Sequence, residues 1–169
     1  KRQIQCLWFN QSDDNTKFVC NVKAVSFINL FVQLAIEFNS FQDEERGGLL
    51  IETWGGCNVL QDLIGFSQSS WYDEDHHLLL ILIRLRRSGY LVQEDIQQYD
   101  LVHKVCQKQY FYEQLFRFLI EWDPPSLLRT NANNELPFHW GAQNIRKFRV
   151  VLDSFFRFYP RWKGIKALF

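Results

Sequence analysis

The sequence predicts an all-α fold built from recurring helix pairs. Three observations predict it. Apolar residues recur at helical spacing in several stretches, no stretch alternates as a strand would over many residues, and three segments repeat one pattern in register. The 169 residues are 47 % hydrophobic and 17 % aromatic, with 16 Phe. That length supports a domain with a sizeable core, and so many rings suggest wedges between packed elements.

Residues 1–16 read as an N-terminal segment without an assigned element. Residues 24–38 carry Val25, Ile28, Phe31, Val32, Ala35 and Ile36 at helical spacing. Phe27, Leu30, Leu34 and Phe38 make that helix apolar all round, so it should be covered on most sides. Residues 75–87 run from an acidic start (Asp73, Glu74, Asp75) to a basic finish (Arg84, Arg86, Arg87), with Gly89 beyond. That order suits the helix dipole and a glycine cap. Residues 110–121 should stop before Asp123-Pro124-Pro125, and 145–158 before Pro160.

The intervals repeat. Segments 49–64, 91–106 and 127–142 each open on an aliphatic pair, and Gln61, His103 or His139 follows 11 residues after its second member. Each enters a short helix with Leu63-Ile64, Val105-Cys106 or Gly141-Ala142 two and three places on. His103 and His139 are 36 residues apart, Gln61 and His103 are 42, and the polar run at 67–77 accounts for the difference.

A two-helix unit repeated at ~33 residues with a T-P-L-H entry is the ankyrin signature, and this chain resembles that family. Asn131, Asn134, Pro137, Phe138 and His139 fall where the family pattern has Asp, Gly, Pro, Leu and His. Asp100-Leu101-Val102-His103 is a weaker copy, and Asn58-Val59-Leu60-Gln61, with Gly56 on the glycine position, is weaker again. The resemblance implies an ankyrin-like α-solenoid of stacked helix-turn-helix units with irregular fingers. Its segments are 17–50 (degenerate), 50–91, 92–127 and 128–169. Asn58 and Asp100 can cap their helices by accepting N–H bonds, whereas Leu136 cannot. Asn134 tolerates the left-handed turn position and Gln98 does so poorly, so a regular hairpin is not expected in the 92–127 segment.

Pro137, His139, His103 and Gly56 are then structural. Pro137 fits a first helical turn, where its missing N–H costs nothing. His139 is expected to bond the backbone of an adjacent unit, and Gly141 and Ala142 to let helices approach. The concave face implied by the resemblance offers Trp54, Asp62, Phe66, Gln97, Lys104, Lys108, Asn133, Trp140 and Gln143 to a protein partner, Trp and Phe being frequent anchors.

Other chemistries have weaker signals. Lys plus Arg equals Asp plus Glu at 19 each, so no global field favours nucleic acid or an anionic membrane. The basic, aromatic run 157–166 is more economically a helix end than a nucleic-acid grip. Asp73 to His77 has ligand-type residues but no zinc or calcium spacing. A His103–Cys106 nucleophile pair would have to be buried, which opposes thiolate formation. Cys6, Cys20, Cys57 and Cys106 form no CxxC pair and suggest reduced thiols in an intracellular protein, cytoplasmic or nuclear. The run LLLILI (78–83) is far short of the ~20 residues that span a membrane. The chain has no Met and begins at Lys1, as a segment or a processed form would. No catalytic or cofactor motif stands out. The expected function is a non-catalytic protein-binding module or scaffold. The alternative is a structural subunit embedded in a larger assembly.

Overall fold

A computed structural model describes residues 9–11, 18–20, 26–52, 56–65, 72–142 and 144–160. Among them the chain is mostly helical. It forms two compact units, Lys1–Val92 and Gln93–Phe169.

In the first unit, strands β1 (Phe9–Gln11) and β2 (Phe18–Cys20) pair antiparallel, Asn10 opposite Val19. From sequence, residues 1–16 carry no expected element and 17–24 belong to the degenerate first repeat. Phe18 and Val19 are instead strand formers that find an edge to pair with. Helix α1 spans Ile28–Glu37 and buries Ile28, Val32 and Ala35. The expected cover on most sides is not found, because Phe27, Leu30, Leu34, Ile36 and Phe38 are exposed.

A 3₁₀ segment, Asp43–Gly48, packs on α1 and is broken by left-handed Arg46 and Gly47. Gly47 has φ 61°, and a Cβ there would lie 2.7 Å from the Val32 carbonyl oxygen and 2.8 Å from Val32 Cγ1. The first neighbour is backbone and cannot swing aside. Gly47→Ala should therefore destabilise by about 1–2 kcal/mol, from left-handed strain plus overpacking. Gly65→Ala, with nothing within 4 Å of the added carbon, should be neutral. Urea midpoints of the two variants check this.

Helix α2 (Val59–Gly65) buries Val59, Leu60, Leu63 and Ile64. Before it, Glu52 and Asn58 form an antiparallel bridge, and Gly56 between them has φ 72°. Helix α3 spans Tyr72–Arg87 and packs against α1. It ends as its sequence dictates. Gly89 turns left-handed at φ 75°, and the Tyr90 N–H reaches back to the Leu85 carbonyl at 2.9 Å. Leu78, Ile81, Leu82 and Leu85 form its buried face.

The second unit starts with α4 (Gln93–Gln98), a short helix where the resemblance would have a hairpin finger. Helix α5 (Leu101–Gln107) follows, then α6 (Glu113–Trp122), a 3₁₀ segment Pro124–Leu128, α7 (Pro137–Gly141) and α8 (Ile145–Phe158). Helix α5 packs against α6 and α7, α7 against α8, and α8 also reaches α6. Leu115, Phe116, Leu119 and Ile120 on α6 are buried. Each side chain so covered contributes about 1.5–3 kcal/mol. Gly141 lets α8 approach: a Cβ would stand 3.3 Å from Phe148 Cα. Ala142, assigned the same task from the sequence, is exposed just past the helix end.

Candidate functional site

Positions 61, 103 and 139 each lie on the first turn of a short helix. At α2, the Gln61 N–H donates to Asn58 Oδ1 (2.8 Å) and the Asn58 N–H to Gln61 Oε1 (2.9 Å), a reciprocal cap. At α7, His139 Nδ1 accepts from the Leu136 N–H at 2.8 Å. Leu136 has no side-chain oxygen to offer in return, and only its carbonyl accepts the His139 N–H, at 3.0 Å. Asp100, expected to cap α5, does not; it sits left-handed at φ 51° with no side-chain cap bond. Its carboxylate turns to His103, 3.8 Å from Nδ1.

His103 is buried and its Nε2 is 3.0 Å from the Glu135 carbonyl oxygen, 32 residues on. A carbonyl only accepts, so Nε2 carries the proton. This bond ties α5 to the loop before α7. The expected cross-link is thus made by His103, while His139 is exposed and occupied with its own helix start.

The accepting loop is held from within. Asn131 Oδ1 takes the N–H groups of Asn133 (2.9 Å) and Glu135 (3.0 Å), and the Asn131 N–H donates to the Glu135 carbonyl at 2.9 Å. Asn134 is left-handed at φ 59°, as its side chain tolerates. The Glu135 carbonyl therefore presents a fixed acceptor to His103.

Burial pushes the His103 ring below its ordinary value of 6.5, against the opposing charge of Asp100. The folded state thus binds its proton more weakly than the unfolded state does. Stability carried by His103 is complete above pH 6.5 and is lost as pH falls from there through the lowered folded value. Urea titrations between pH 7.5 and 5 should show that loss, and His103→Gln should flatten it. An unchanged slope in the variant would rule out His103 as its source.

The candidate partner-facing residues divide. Lys104 and Trp140, each next to the repeated position, are half-buried on α5 and α7, and Asn133 is exposed on the loop between α6 and α7. Asp62 holds the same place on α2 and is half-buried. Lys108 is corrected: it is 6 % exposed at the end of α5 and unavailable as a surface contact. Gln97 is already engaged, accepting from Arg129 Nη1 at 2.7 Å and donating to Asp123 Oδ1 at 2.9 Å. Trp54, Phe66 and Gln143 lie outside the described residues, as does the basic tail beyond Pro160.

Two buried polar centres escaped the sequence reading. Asp123 accepts from Gln93 Nε2 (3.2 Å), from Gln97 Nε2 and from the Ser126 hydroxyl. It ties α4 to the 3₁₀ segment after α6. Burial, then the Asp123 charge, raises the Tyr159 phenol above its usual range. In sequence, Asp123-Pro124-Pro125 signals only a helix stop. Second, Lys147 on α8 is buried, and its Nζ donates to the Cys106 (2.6 Å) and Lys108 (2.8 Å) carbonyls at the end of α5. That places a cation where the helix dipole favours one. Burial lowers its pKa from the usual value. Cys106 is pushed up to about 12 by burial, with Lys147 pulling the other way. A thiol held protonated at neutral pH is not a nucleophile.

Among the described residues, no three of His, Cys, Asp and Glu come together as metal ligands. No described helix is long and apolar enough to cross a membrane. His76 and His77 are exposed on the first half of α3. Compared with protein-family models, curated proteins and solved structures, the chain matches none.

Proposed function

We propose that these helix pairs are divergent ankyrin-like units of an α-solenoid, and that the chain is a non-catalytic module that binds a partner protein. The observation that carries this reading is the buried His103 Nε2–Glu135 carbonyl bond, which links one helix pair to the loop of the next. The Asn131–Asn134 turn and Pro137 at the start of α7 support it. A helix pair has too little apolar face covered on its own, and stacking supplies the cover.

In the second unit, Lys104, Asn133 and Trp140 are the residues offered to a partner. They combine a cation, an amide and a large ring, a composition suited to a protein surface. No cofactor or metal is invoked. The test is the double variant Lys104→Ala/Trp140→Ala, used as bait beside the unaltered chain. Its native partner should be lost while the far-ultraviolet helical signal is unchanged. A complex that survives both changes removes this face from consideration.

A structural subunit embedded in an assembly is the second reading. Phe27 and Phe38 at the ends of α1 are 63 % and 75 % exposed, apolar surface that a surrounding assembly would cover. A purified chain that stays soluble and free of higher aggregates alone counts against it.

A further inference from the structure

Helix α8 carries a second apolar seam opposite its buried face. Val150, Val151, Ser154 and Phe155 point into the unit. On the other side Ile145, Arg149, Leu152 and Phe156 recur at intervals of four, three and four residues, the spacing of alternate core positions in a coiled coil. Ile145 is 82 % and Phe156 42 % exposed, Leu152 is half-buried and Arg149 is exposed. Along one flank of the seam lie exposed Arg146 and Asp153, seven residues apart and opposite in charge.

We propose that this seam pairs with the same seam of a second copy of the chain, the two α8 helices running antiparallel about a two-fold axis. The proposal is independent of the repeat reading. Self-complementarity argues for it. An antiparallel pairing centred between Val150 and Val151 sets Ile145 against the Phe156 of the second copy and Arg149 beside its Leu152. It also brings Arg146 to within two residues, about 3 Å of helix rise, of the level of Asp153 on the same flank, twice by symmetry and within reach of the long Arg side chain. The parallel alternative stacks Arg149 on Arg149 and sets Arg146 and Asp153 beside the Gly141 and Phe148 positions of the second copy. Like charges and lost pairs select against it.

One helix face is a small interface, so association is expected on the order of 10–100 µM. Sedimentation equilibrium of the 169-residue chain, loaded up to roughly 200 µM, should show a monomer–dimer equilibrium. Ile145→Asp and, at the other end, Phe156→Glu should each weaken it at least about tenfold. Both side chains are exposed, so circular dichroism should be unaltered. Asp153→Arg should also weaken it, and Arg146→Asp added to Asp153→Arg should restore it to within about threefold. A chain monomeric at the highest loading overturns the proposal. So does a dimer indifferent to Ile145→Asp and Phe156→Glu, which must use another face. A double charge reversal that fails to restore association overturns the antiparallel alignment.

Discussion

Asp123→Ala is expected to lower the unfolding free energy by about 3 kcal/mol. The side chain is 1 % exposed and gathers three donors, Gln93, Gln97 and the Ser126 hydroxyl. Removing it leaves the buried Ser126 hydroxyl without its acceptor, and the half-buried Gln97 and exposed Gln93 each lose a charge-assisted bond. It also frees two elements from one another, because Gln93 and Gln97 lie on α4 while Ser126 lies after α6. Asp123→Asn keeps the volume and one carbonyl oxygen, so about half that loss is expected. Urea unfolding at constant slope provides the comparison. Equal losses in the two variants would show that shape, not acceptor capacity, is what Asp123 supplies.

Lys147→Ala should cost about 2–3 kcal/mol. Two opposing effects set that figure. The variant abolishes two short charge-assisted bonds to the Cys106 and Lys108 carbonyls and the approach of the ammonium to the Phe111 ring, 6.0 Å from its centroid. It also relieves the chain of desolvating an ammonium, which offsets part of the loss. Lys147→Met, which keeps the stem and drops the charge, reports the net of the two effects without the packing loss and should cost less. Hydrogen exchange should localise the damage to the last turn of α5 in both variants. A Met variant as stable as the parent would mean that the buried charge contributes nothing net.

How much of this was readable beforehand depends on the range of the interaction. The α8 boundaries, the Gly89 turn after α3, the stop before Asp123 and the start of α7 at Pro137 all follow from local rules. Proline, glycine and capping residues act within a few positions of themselves. The Asn58–Gln61 cap and the left-handed Asn134 were legible for the same reason. The strand at Phe18–Cys20 was not, since three residues become a strand only when another segment offers its edge.

The candidate site shows the same division. The sequence marked His103 and His139 as equivalent, and locally they are, each on the first turn of a short helix. Only packing made His103 the buried cross-link and left His139 at the surface. Gln97 and Lys108 fall on an open face by register, but Gln97 is half-buried and bound to Asp123 and Arg129, and Lys108 is buried at the end of α5. Lys147 looks, in sequence, like any helix-surface lysine between arginines.

The sequence by itself therefore determined where helices start and stop and which pattern recurs, because those choices are made by neighbours along the chain. Tertiary structure alone decided which polar groups lose their water and which partners replace it. A side chain's environment is set by residues tens of positions away, and whether its charge is covered or left in solvent follows from their approach.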